Sequence, residues 1–318
     1  MYKNSMKIII TGSDGFVGKN LTLSLNESSD FETVLFNRDS DINFLQKHIQ
    51  STDLIVHLAG ENRPNDESMF QKVNVGLSQE ICDIVLKSKK KIPIIFSSST
   101  QVHEDNEYGR SKLEAENIFE EFSKFSKIPV IAIRFCGIFG KWSKPNYNSV
   151  IATFCNNIAN GIPINVSDPD KMIKLSYIDD VISMIKSKIT NINKYKGFSL
   201  LESEVIYEKN LGYISETIAS FRDSRNNLLI SKVGAGFERA LYSTYLSFLK
   251  PENFIYDLKE NKDERGVFVE MLKTSDSGQF SFFTAHPGIT RGGHYHHSKN
   301  EKFLVLKGEA KFSFRNII

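Results

Sequence analysis

The first 250 residues alternate between short apolar runs and longer segments whose apolar residues recur at helical spacing. The longer segments, residues 69–87 and 111–125, are long enough to form helices. Buried strands are expected at the apolar runs, which are residues 6–10, 33–36, 54–58, 92–97 and 130–135. Strands that alternate with helices predict an α/β fold, a doubly wound parallel sheet, over residues 1–249.

The pattern changes after Lys250-Pro251-Glu252-Asn253, which is predicted to be a linker. Short apolar runs separated by turn residues follow, and strands are expected at 266–272, 279–285, 302–307 and 310–315. The sequence therefore predicts a second domain, a small all-β segment over residues 254–318.

Composition excludes several classes of protein. Lys and Arg total 40 against 38 for Asp and Glu, so a net charge of +2 gives no reason to expect a nucleic-acid partner. No apolar run approaches the roughly 20 residues that span a bilayer, and the N-terminus lacks the apolar core of a signal peptide. Three cysteines without a C-x-x-C pair favour reduced thiols. We expect a cytoplasmic enzyme or binding protein that has no membrane partner.

Three glycines follow the first strand with the spacing G-x-x-G-x-x-G. Gly12 would allow a turn that most side chains obstruct, and Gly15 would let backbone N–H groups approach a pyrophosphate at a helix N-terminus. Gly18 would allow close packing of helix on sheet. In this strand–turn–helix context the motif predicts a Rossmann-type dinucleotide site.

The second and third strands end in residues that bear on the cofactor. Arg38 follows the second strand, where NAD-binding proteins usually carry a carboxylate, and an arginine can pair with a 2′-phosphate through two hydrogen bonds. Arg38 thus favours NADP(H), although a solvated surface arginine is the alternative. Leu58-Ala59-Gly60 is small enough to line the adenosine or pyrophosphate, or it is simply the exit from a strand.

Candidate catalytic residues follow the fourth strand. Ser99 stands where such sheets place ligands, and Tyr108 and Lys112 are spaced i, i+4 on one face of a helix. We expect the Lys112 ammonium, with the charge of an oxidised nicotinamide, to lower the pKa of the Tyr108 phenol toward neutrality. Ser99 would then hydrogen-bond the substrate oxygen.

With these motifs in this order, residues 6–248 resemble the extended short-chain dehydrogenase/reductase family, whose members act mostly on nucleotide sugars. The resemblance implies that Ser99, Tyr108 and Lys112 are catalytic. Asn74 matches the helical asparagine of the family, or it is an ordinary polar residue of a helix. The expected cofactor-binding residues are Gly12, Ser13, Asp14, Gly15, Phe16, Val17, Gly18, Arg38, Leu58, Ala59, Gly60, Asn74 and Ser97.

Closer similarity narrows the reaction. Thr100-Gln101 stands where the dehydratase branch carries an acidic pair, so a dehydratase is not expected. Segments 57–64, 139–154 and 300–305 resemble the bifunctional reductase/C3-epimerases of capsule and O-antigen synthesis, in which a reductase domain precedes a cupin. This resemblance implies a UDP-sugar substrate and a homodimer. Asn148 and Arg134 are the candidate substrate-binding residues.

A metal-ligand pattern lies near the C-terminus. Gly288-x5-His294-x-His296-x4-Glu301-x6-Gly308 matches the first cupin motif. On a strand, i and i+2 share a face, so His294, His296 and Glu301 could hold a divalent metal, most readily zinc. Solvated loop histidines are the alternative. The sequence ends before a second cupin motif, so we expect a truncated cupin that is metal-poor and inactive as an epimerase.

The sequence thus predicts an NADPH-dependent reductase of a 4-keto UDP-2-acetamido-2,6-dideoxy hexose. A nucleotide-sugar epimerase that retains NAD is the second hypothesis, because most such epimerases use NAD. A non-catalytic NADP-binding scaffold is a third, against which the intact pair Tyr108 and Lys112 argues.

Overall fold

A computed structural model describes residues 5–315 of the chain. Residues 1–4, the start of the stretch examined for a signal peptide, and residues 316–318, the end of the predicted cupin, lie outside the described residues. The chain divides into two compact units: unit one runs to Asp257 and includes Leu272–Gly278, and unit two comprises Leu258–Met271 and the residues from Gln279 on. The domain boundary predicted at 250–253 lies just before the end of the first stretch of unit one.

Strands and helices of the described residues are numbered here in chain order. The strands are β1 (Met6–Thr11), β2 (Phe31–Phe36), β3 (Leu54–His57), β4 (Ile94–Ser99), β5 (Val130–Phe135), β6 (Gly137–Phe139), β7 (Met172–Tyr177), β8 (Phe198–Glu202), β9 (Tyr207–Asn210), β10 (Leu229–Ile230), β11 (Glu260–Asp263), β12 (Gly266–Thr274) and β13 (Gly278–Phe283). The α-helices are α1 (Phe16–Asn26), α2 (Ile42–His48), α3 (Leu77–Ser88), α4 (Glu107–Ser126), α5 (Val150–Ala159), α6 (Ile178–Thr190), α7 (Leu211–Asn227) and α8 (Gly236–Leu246).

Unit one is built on a six-stranded parallel sheet in the order β2-β1-β3-β4-β5-β8. Its strands are covered on both faces: Ile8 and Ile10 point into one apolar cluster, and Ile9, between them, points into the other. This is why the strands are continuous apolar runs in the sequence. The predicted doubly wound parallel sheet is confirmed. A smaller sheet, β6-β7-β9, belongs to the same unit.

Two element boundaries differ from the prediction in ways that concern the site. The strand expected at 92–97 is β4 and ends at Ser99, and the helix expected from residue 111 is α4 and begins at Glu107. Asn106 sets that start, because its Oδ1 accepts a hydrogen bond from Gly109 N at 2.8 Å. Tyr108 therefore lies in the first turn of α4.

The helix expected at 69–87 begins with an unusual turn. Phe70–Gly76 is π-helical and continues directly into α3. Short π-helical stretches often occur at functional sites, and Asn74 lies in this one. Among residues 5–315 no helix is long and apolar enough to cross a membrane.

Unit two has fewer strands than the sequence predicts. β11 and β12 pair antiparallel, and β13 pairs with β12. The strands expected at 302–307 and 310–315 are absent from the described residues, so that prediction is wrong. A strand needs a neighbour for its backbone N–H and C=O groups, and none pairs with these segments in the described part of unit two. Their apolar side chains are exposed accordingly, Leu304 by 81% and Phe314 by 89%.

Candidate active site

The structure brings Ser99, Tyr108 and Lys112 together at the end of β4. The Lys112 ammonium donates a hydrogen bond to Ser97 O at 2.9 Å and lies 6.0 Å from the centroid of the Tyr108 ring. The Tyr108 phenol hydrogen-bonds Ser99, which lowers the pKa of the phenol. One strand end and the first two turns of α4 thus assemble the three predicted catalytic side chains.

Burial dominates the protonation of this group. Lys112 lies over the ring of Phe96, with Nζ 4.9 Å from the ring centroid, and burial lowers its pKa to about 8 against the opposing charge of Glu116. Burial raises the pKa of Tyr108, and this effect exceeds that of the Ser99 hydrogen bond. The expected acidification of Tyr108 by Lys112 is therefore not found in the chain alone. The site instead keeps the phenol protonated at neutral pH.

His57, the last residue of β3, stabilises the site through hydrogen bonds of its ring, a role that the sequence analysis missed. Its ring is fully buried, and Nδ1 lies 2.7 Å from Thr11 Oγ1 while Nε2 lies 3.2 Å from Ser78 Oγ. Because the Ser78 hydroxyl gives its proton to Asn74 O at 2.7 Å, His57 Nε2 must donate and Nδ1 must accept. Burial, together with the Lys112 charge, lowers the pKa of His57 to about 3, so the ring is neutral.

The loop after β3 is fixed next to the glycine bend. Thr11 Oγ1 accepts hydrogen bonds from Leu58 N and Ala59 N, both at 3.2 Å. Gly12 has φ +69°, and a Cβ there would lie 2.7 Å from Ala59 N. A Cβ on Gly18 would lie 2.2 Å from Gly12 O, so neither glycine could carry a side chain without displacing backbone. Gly12 makes the turn that was predicted for it, whereas the close approach at Gly18 is to the backbone of the bend itself, at Gly12 and Ser13, and not to the sheet.

The bend leads into a helix N-terminus that no side chain of the described residues caps. Gly15 is the N-cap residue of α1, and the first turn carries no acidic side chain. Of the other helices, α2, α4, α5 and α7 each have a side-chain cap, whereas α3, α6 and α8 have none. Uncapped N–H groups at the positive end of a helix fit the pyrophosphate of a dinucleotide. Phe16 and Val17 are the first residues of α1, Asp14 is exposed before it, and Ser13 is buried with Oγ 3.4 Å from Phe36 O.

Asn74 and Gly60 lie next to Lys112, one of the predicted catalytic residues. A Cβ on Gly60 would lie 3.1 Å from both Lys112 Nζ and Asn74 Oδ1. The Asn74 side chain is fully engaged with the backbone of Glu61 and with Ser111 Oγ, the latter at 2.9 Å. The predicted cofactor residue Asn74 therefore holds the loop after β3 against α4.

Arg38, predicted to bind a 2′-phosphate, has a partner in the chain. Its side chain is 85% exposed, and Nη2 lies 2.6 Å from Glu61 Oε1. The sequence analysis does not identify Glu61 as a site residue, because nothing in the sequence pattern places it beside the end of β2. The ion pair puts a positive and a negative group where the ribose of a dinucleotide is held in such folds.

The two candidate substrate residues have different surroundings. Arg134 forms a two-fold ion pair with the buried Glu116, at 2.9 Å from Nε and 2.6 Å from Nη2, and Glu116 also accepts from Ser98 Oγ at 2.5 Å. The structure thus places the Arg134 guanidinium on Glu116. Asn148 is exposed, directly before Ser149, whose side chain caps α5. Substrate contact by either residue stays a prediction.

The predicted metal ligands converge in unit two. One ligand atom each from His294, His296 and Glu301 lies within 4.8 Å of the others, and all three residues are exposed. They converge although they lie outside any strand. Lys299 Nζ lies 2.9 Å from Glu301 Oε1 and lowers the pKa of that carboxyl group. The donor set suits a divalent transition metal, while the Lys299 ammonium competes for the carboxylate.

Comparison with known proteins identifies relatives of both parts of the chain. The model of the NAD dependent epimerase/dehydratase family matches residues 8–198, and that of the polysaccharide biosynthesis C-terminal domain matches residues 261–318. A UDP-2-acetamido-2,6-beta-L-arabino-hexul-4-ose reductase from Pseudomonas aeruginosa is 48% identical over 98% of this chain and 84% of its own length.

Solved structures agree with this assignment. The capsular polysaccharide assembling protein CapF from Staphylococcus aureus superposes with a TM-score of 0.83 at 40% identity, over 92% of this chain and 79% of that one. A UDP-glucuronic acid 4-epimerase from Bacillus cereus, 16% identical over 76% of this chain and 99% of its own, shares the fold with a TM-score of 0.66. The resemblance to extended short-chain dehydrogenases/reductases is confirmed: the chain belongs to the NAD dependent epimerase/dehydratase family, an oxidoreductase family that uses a nicotinamide cofactor.

Proposed function

We propose that the chain is an NADPH-dependent reductase of a 4-keto UDP-2-acetamido-2,6-dideoxy hexose in polysaccharide precursor synthesis. The observation that carries the proposal is the half-buried, protonated Tyr108, which hydrogen-bonds Ser99 and lies one helical turn before Lys112, at the same edge of the sheet as the uncapped glycine bend. The 48% identity to a reductase named for a UDP-hexul-4-ose supports the substrate class.

The residues of the chain would handle the proton of the reduction. The glycine bend would hold a nicotinamide dinucleotide, which would supply the hydride for reduction at C4 of the sugar. Ser99 donates a hydrogen bond to the C4 carbonyl oxygen, and Tyr108 transfers its phenolic proton to that oxygen as it becomes an alkoxide. The raised pKa of Tyr108 suits a proton donor, because the proton is present at neutral pH.

Lys112 would stabilise the phenolate that remains after this transfer. Its ammonium is fixed by Ser97 O, and with a pKa of about 8 it is mainly charged at neutral pH. Once the phenol has given up its proton, this positive charge would offset the negative charge of the phenolate in a site shielded from water. The proton from solvent that restores the phenol completes the cycle.

A nucleotide-sugar epimerase that retains NAD is the second candidate. Glu61 favours it, because a carboxylate beside the cofactor ribose suits a 2′-hydroxyl, and Glu61 lies 2.6 Å from Arg38. A UDP-glucose 4-epimerase from Vibrio cholerae is 28% identical over 51% of this chain. Arg38, which can pair with a 2′-phosphate, favours NADP(H) and net reduction.

We also propose that the enzyme works in the cytoplasm as a homodimer, and that unit two binds zinc too weakly to support C3 epimerisation. The exposure of His294, His296 and Glu301 supports the latter, as does the ion pair of Glu301 with Lys299.

The function is tested by incubating the full chain with NADPH and a panel of 4-keto UDP-N-acetyl sugars. We expect NADPH oxidation with one sugar of this class, and a product whose C4 configuration NMR assigns. Tyr108→Phe should lower kcat by roughly 10²- to 10⁴-fold, the range for loss of a general acid, while Tyr213→Phe serves as the matched control. Undiminished turnover by Tyr108→Phe contradicts the mechanism, and tightly bound NAD in the purified protein favours the epimerase.

A further inference from the structure

A cavity of about 610 Å³ opens where the loops after β2, β3 and β6 meet. Three cationic side chains line it, Arg38, Arg63 and Lys144, one from each loop. Glu61 is the acidic group in the lining. None of the motifs in the sequence analysis assigns a role to Arg63 or Lys144.

Specific contacts keep these side chains at the cavity. Arg63 Nη1 donates to the main-chain oxygen of Tyr147, and Lys144 Nζ lies 5.2 Å from the centroid of the Tyr147 ring. Arg38 reaches Glu61 at 2.6 Å. The Asn74 side chain in turn binds the main chain of Glu61, which keeps the Glu61 carboxylate at the cavity. Three cations from separate loops thus line one cavity together with a single carboxylate, which pairs with Arg38.

The charge of this cavity indicates the ligand. Three cations and one carboxylate leave a net charge of +2, and a phosphate monoester carries about −1.5 to −2 at neutral pH. The end of β2, where Arg38 stands, is where dinucleotide-binding sheets place the 2′-position of the ribose. The adjacent bend is in contact with it, since Gly12 N donates to Phe36 O at 2.8 Å.

We infer that Arg63 and Lys144 join Arg38 in binding the 2′-phosphate of the cofactor, and that Glu61 is the counter-charge which this phosphate displaces from Arg38. The inference rests on the proposed use of NADP(H). The preference for NADP(H) over NAD(H) then depends on a competition between the Glu61 carboxylate and the 2′-phosphate for the Arg38 guanidinium. Glu61 opposes the 2′-phosphate, and Arg63 and Lys144 favour it.

Calorimetric titration of the full chain with cofactor fragments tests the inference without requiring turnover. The probes are adenosine 2′,5′-bisphosphate, 5′-AMP, which lacks the 2′-phosphate, and UDP, which tests the alternative phosphate source. The variants are Arg63→Gln, Lys144→Gln and Glu61→Gln. Lys141→Gln is the matched control, because Lys141 lies outside the cavity, 3.7 Å from Asp179.

We expect the wild-type chain to bind the bisphosphate at least about tenfold more tightly than 5′-AMP. That ratio corresponds to the free energy of one additional hydrogen bond between charged groups. Arg63→Gln and Lys144→Gln should each reduce this ratio several-fold without changing 5′-AMP binding, and Glu61→Gln should increase it. Equal affinities of the wild type for both adenosine probes would overturn the inference, as would an equal loss in Lys141→Gln. Loss of UDP affinity in Arg63→Gln and Lys144→Gln, with bisphosphate affinity kept, would assign the pocket to the substrate instead. Each result is independent of whether the chain reduces a sugar.

Discussion

Asn74 holds Glu61 by both of its main-chain groups: Oδ1 accepts from Glu61 N at 2.8 Å, and Nδ2 donates to Glu61 O at 2.9 Å. The same Nδ2 donates to Ser111 Oγ at 2.9 Å, and Ser111 lies on α4 between Tyr108 and Lys112, which are proposed to be catalytic. One buried amide therefore joins the loop that carries Glu61, the ion-pair partner of Arg38, to the helix that carries the proposed proton donor.

Removal of this amide should impair catalysis more than stability. Asn74→Ala leaves Glu61 N and O without partners, and we expect kcat/KM to fall by about 10- to 100-fold, as when positioning groups are lost. Gln71→Ala is the matched control, since Gln71 precedes Asn74 in the same π-helical turn and bonds only the exposed Glu114. Steady-state kinetics and a urea denaturation curve measure both effects. Equal losses in the two variants would contradict a specific role for Asn74.

The protonation of Lys112 should set the alkaline limit of activity. Because burial lowers its pKa to about 8, the ammonium is present below that pH and is lost as the pH rises through it. We expect kcat/KM for keto-sugar reduction to decline above about pH 8. Lys112→Arg keeps the charge at all accessible pH values, so the decline should disappear in the activity that remains. An unchanged alkaline limit in this variant would assign the ionisation to another group.

Much of unit one could be predicted because its signals are local. The glycine spacing requires backbone conformations and close approaches that the structure shows at Gly12 and Gly18. The spacing of Tyr108 and Lys112 places both on one face of α4 whatever precise residue begins the helix. Ser99 follows from the apolar run of β4.

The parts that could not be predicted depend on contacts between distant segments. Nothing local to Glu61 indicates that it meets Arg38, 23 residues earlier in the chain. His57 appears in the sequence as the last residue of a buried strand, and only its contacts with Thr11 and Ser78 give it a role. The raised pKa of Tyr108 could not be predicted from the neighbouring residues either, because desolvation depends on every element packed around the phenol.

His57 should make the fold sensitive to acid. Its pKa is about 3 in the folded protein against 6.5 in the unfolded chain, so between these values the unfolded state binds the proton and the folded state does not. The free energy of unfolding that His57 contributes is therefore lost as the pH falls from about 6.5 toward 3. The loss is about 2 kcal/mol at pH 5. Urea denaturation at pH 7 and pH 5 measures the difference. His57→Gln should show a smaller loss between the two pH values, and an equal loss would contradict the assignment.

The pair of Arg134 and Glu116 should matter for stability. Arg134→Met leaves the buried Glu116 without its cation, which we expect to cost about 3–5 kcal/mol of unfolding free energy. The double variant Glu116→Gln/Arg134→Met removes both charges and should cost less. Urea denaturation of the three proteins separates these cases. If instead Arg134→Met raises only the KM for the sugar and leaves stability unchanged, the predicted substrate contact of Arg134 is favoured.

Metal binding by unit two can be measured apart from the reductase reaction. We expect the purified chain to hold less than stoichiometric zinc and to bind added zinc weakly and reversibly in calorimetry. His294→Ala should abolish this binding, while His297→Ala, in the same segment but outside the ligand group, should retain it. Stoichiometric zinc with measurable C3 epimerisation would contradict the proposal of a metal-poor unit two.

The bare N-terminus of α1 has a consequence for the protein between catalytic cycles. Because its N-cap residue is glycine, the missing side-chain cap costs α1 only about a few tenths of a kcal/mol relative to Ser, Thr, Asn or Asp, so the cofactor-free protein carries a small local deficit at the bend proposed to hold the dinucleotide. Part of the binding free energy of the dinucleotide would then offset this deficit, and the melting temperature of the protein should rise when the dinucleotide binds. A Cβ at position 15 would lie 3.0 Å from Gly12 O, so a capping side chain there would crowd the bend and would also engage the N–H groups proposed for the pyrophosphate.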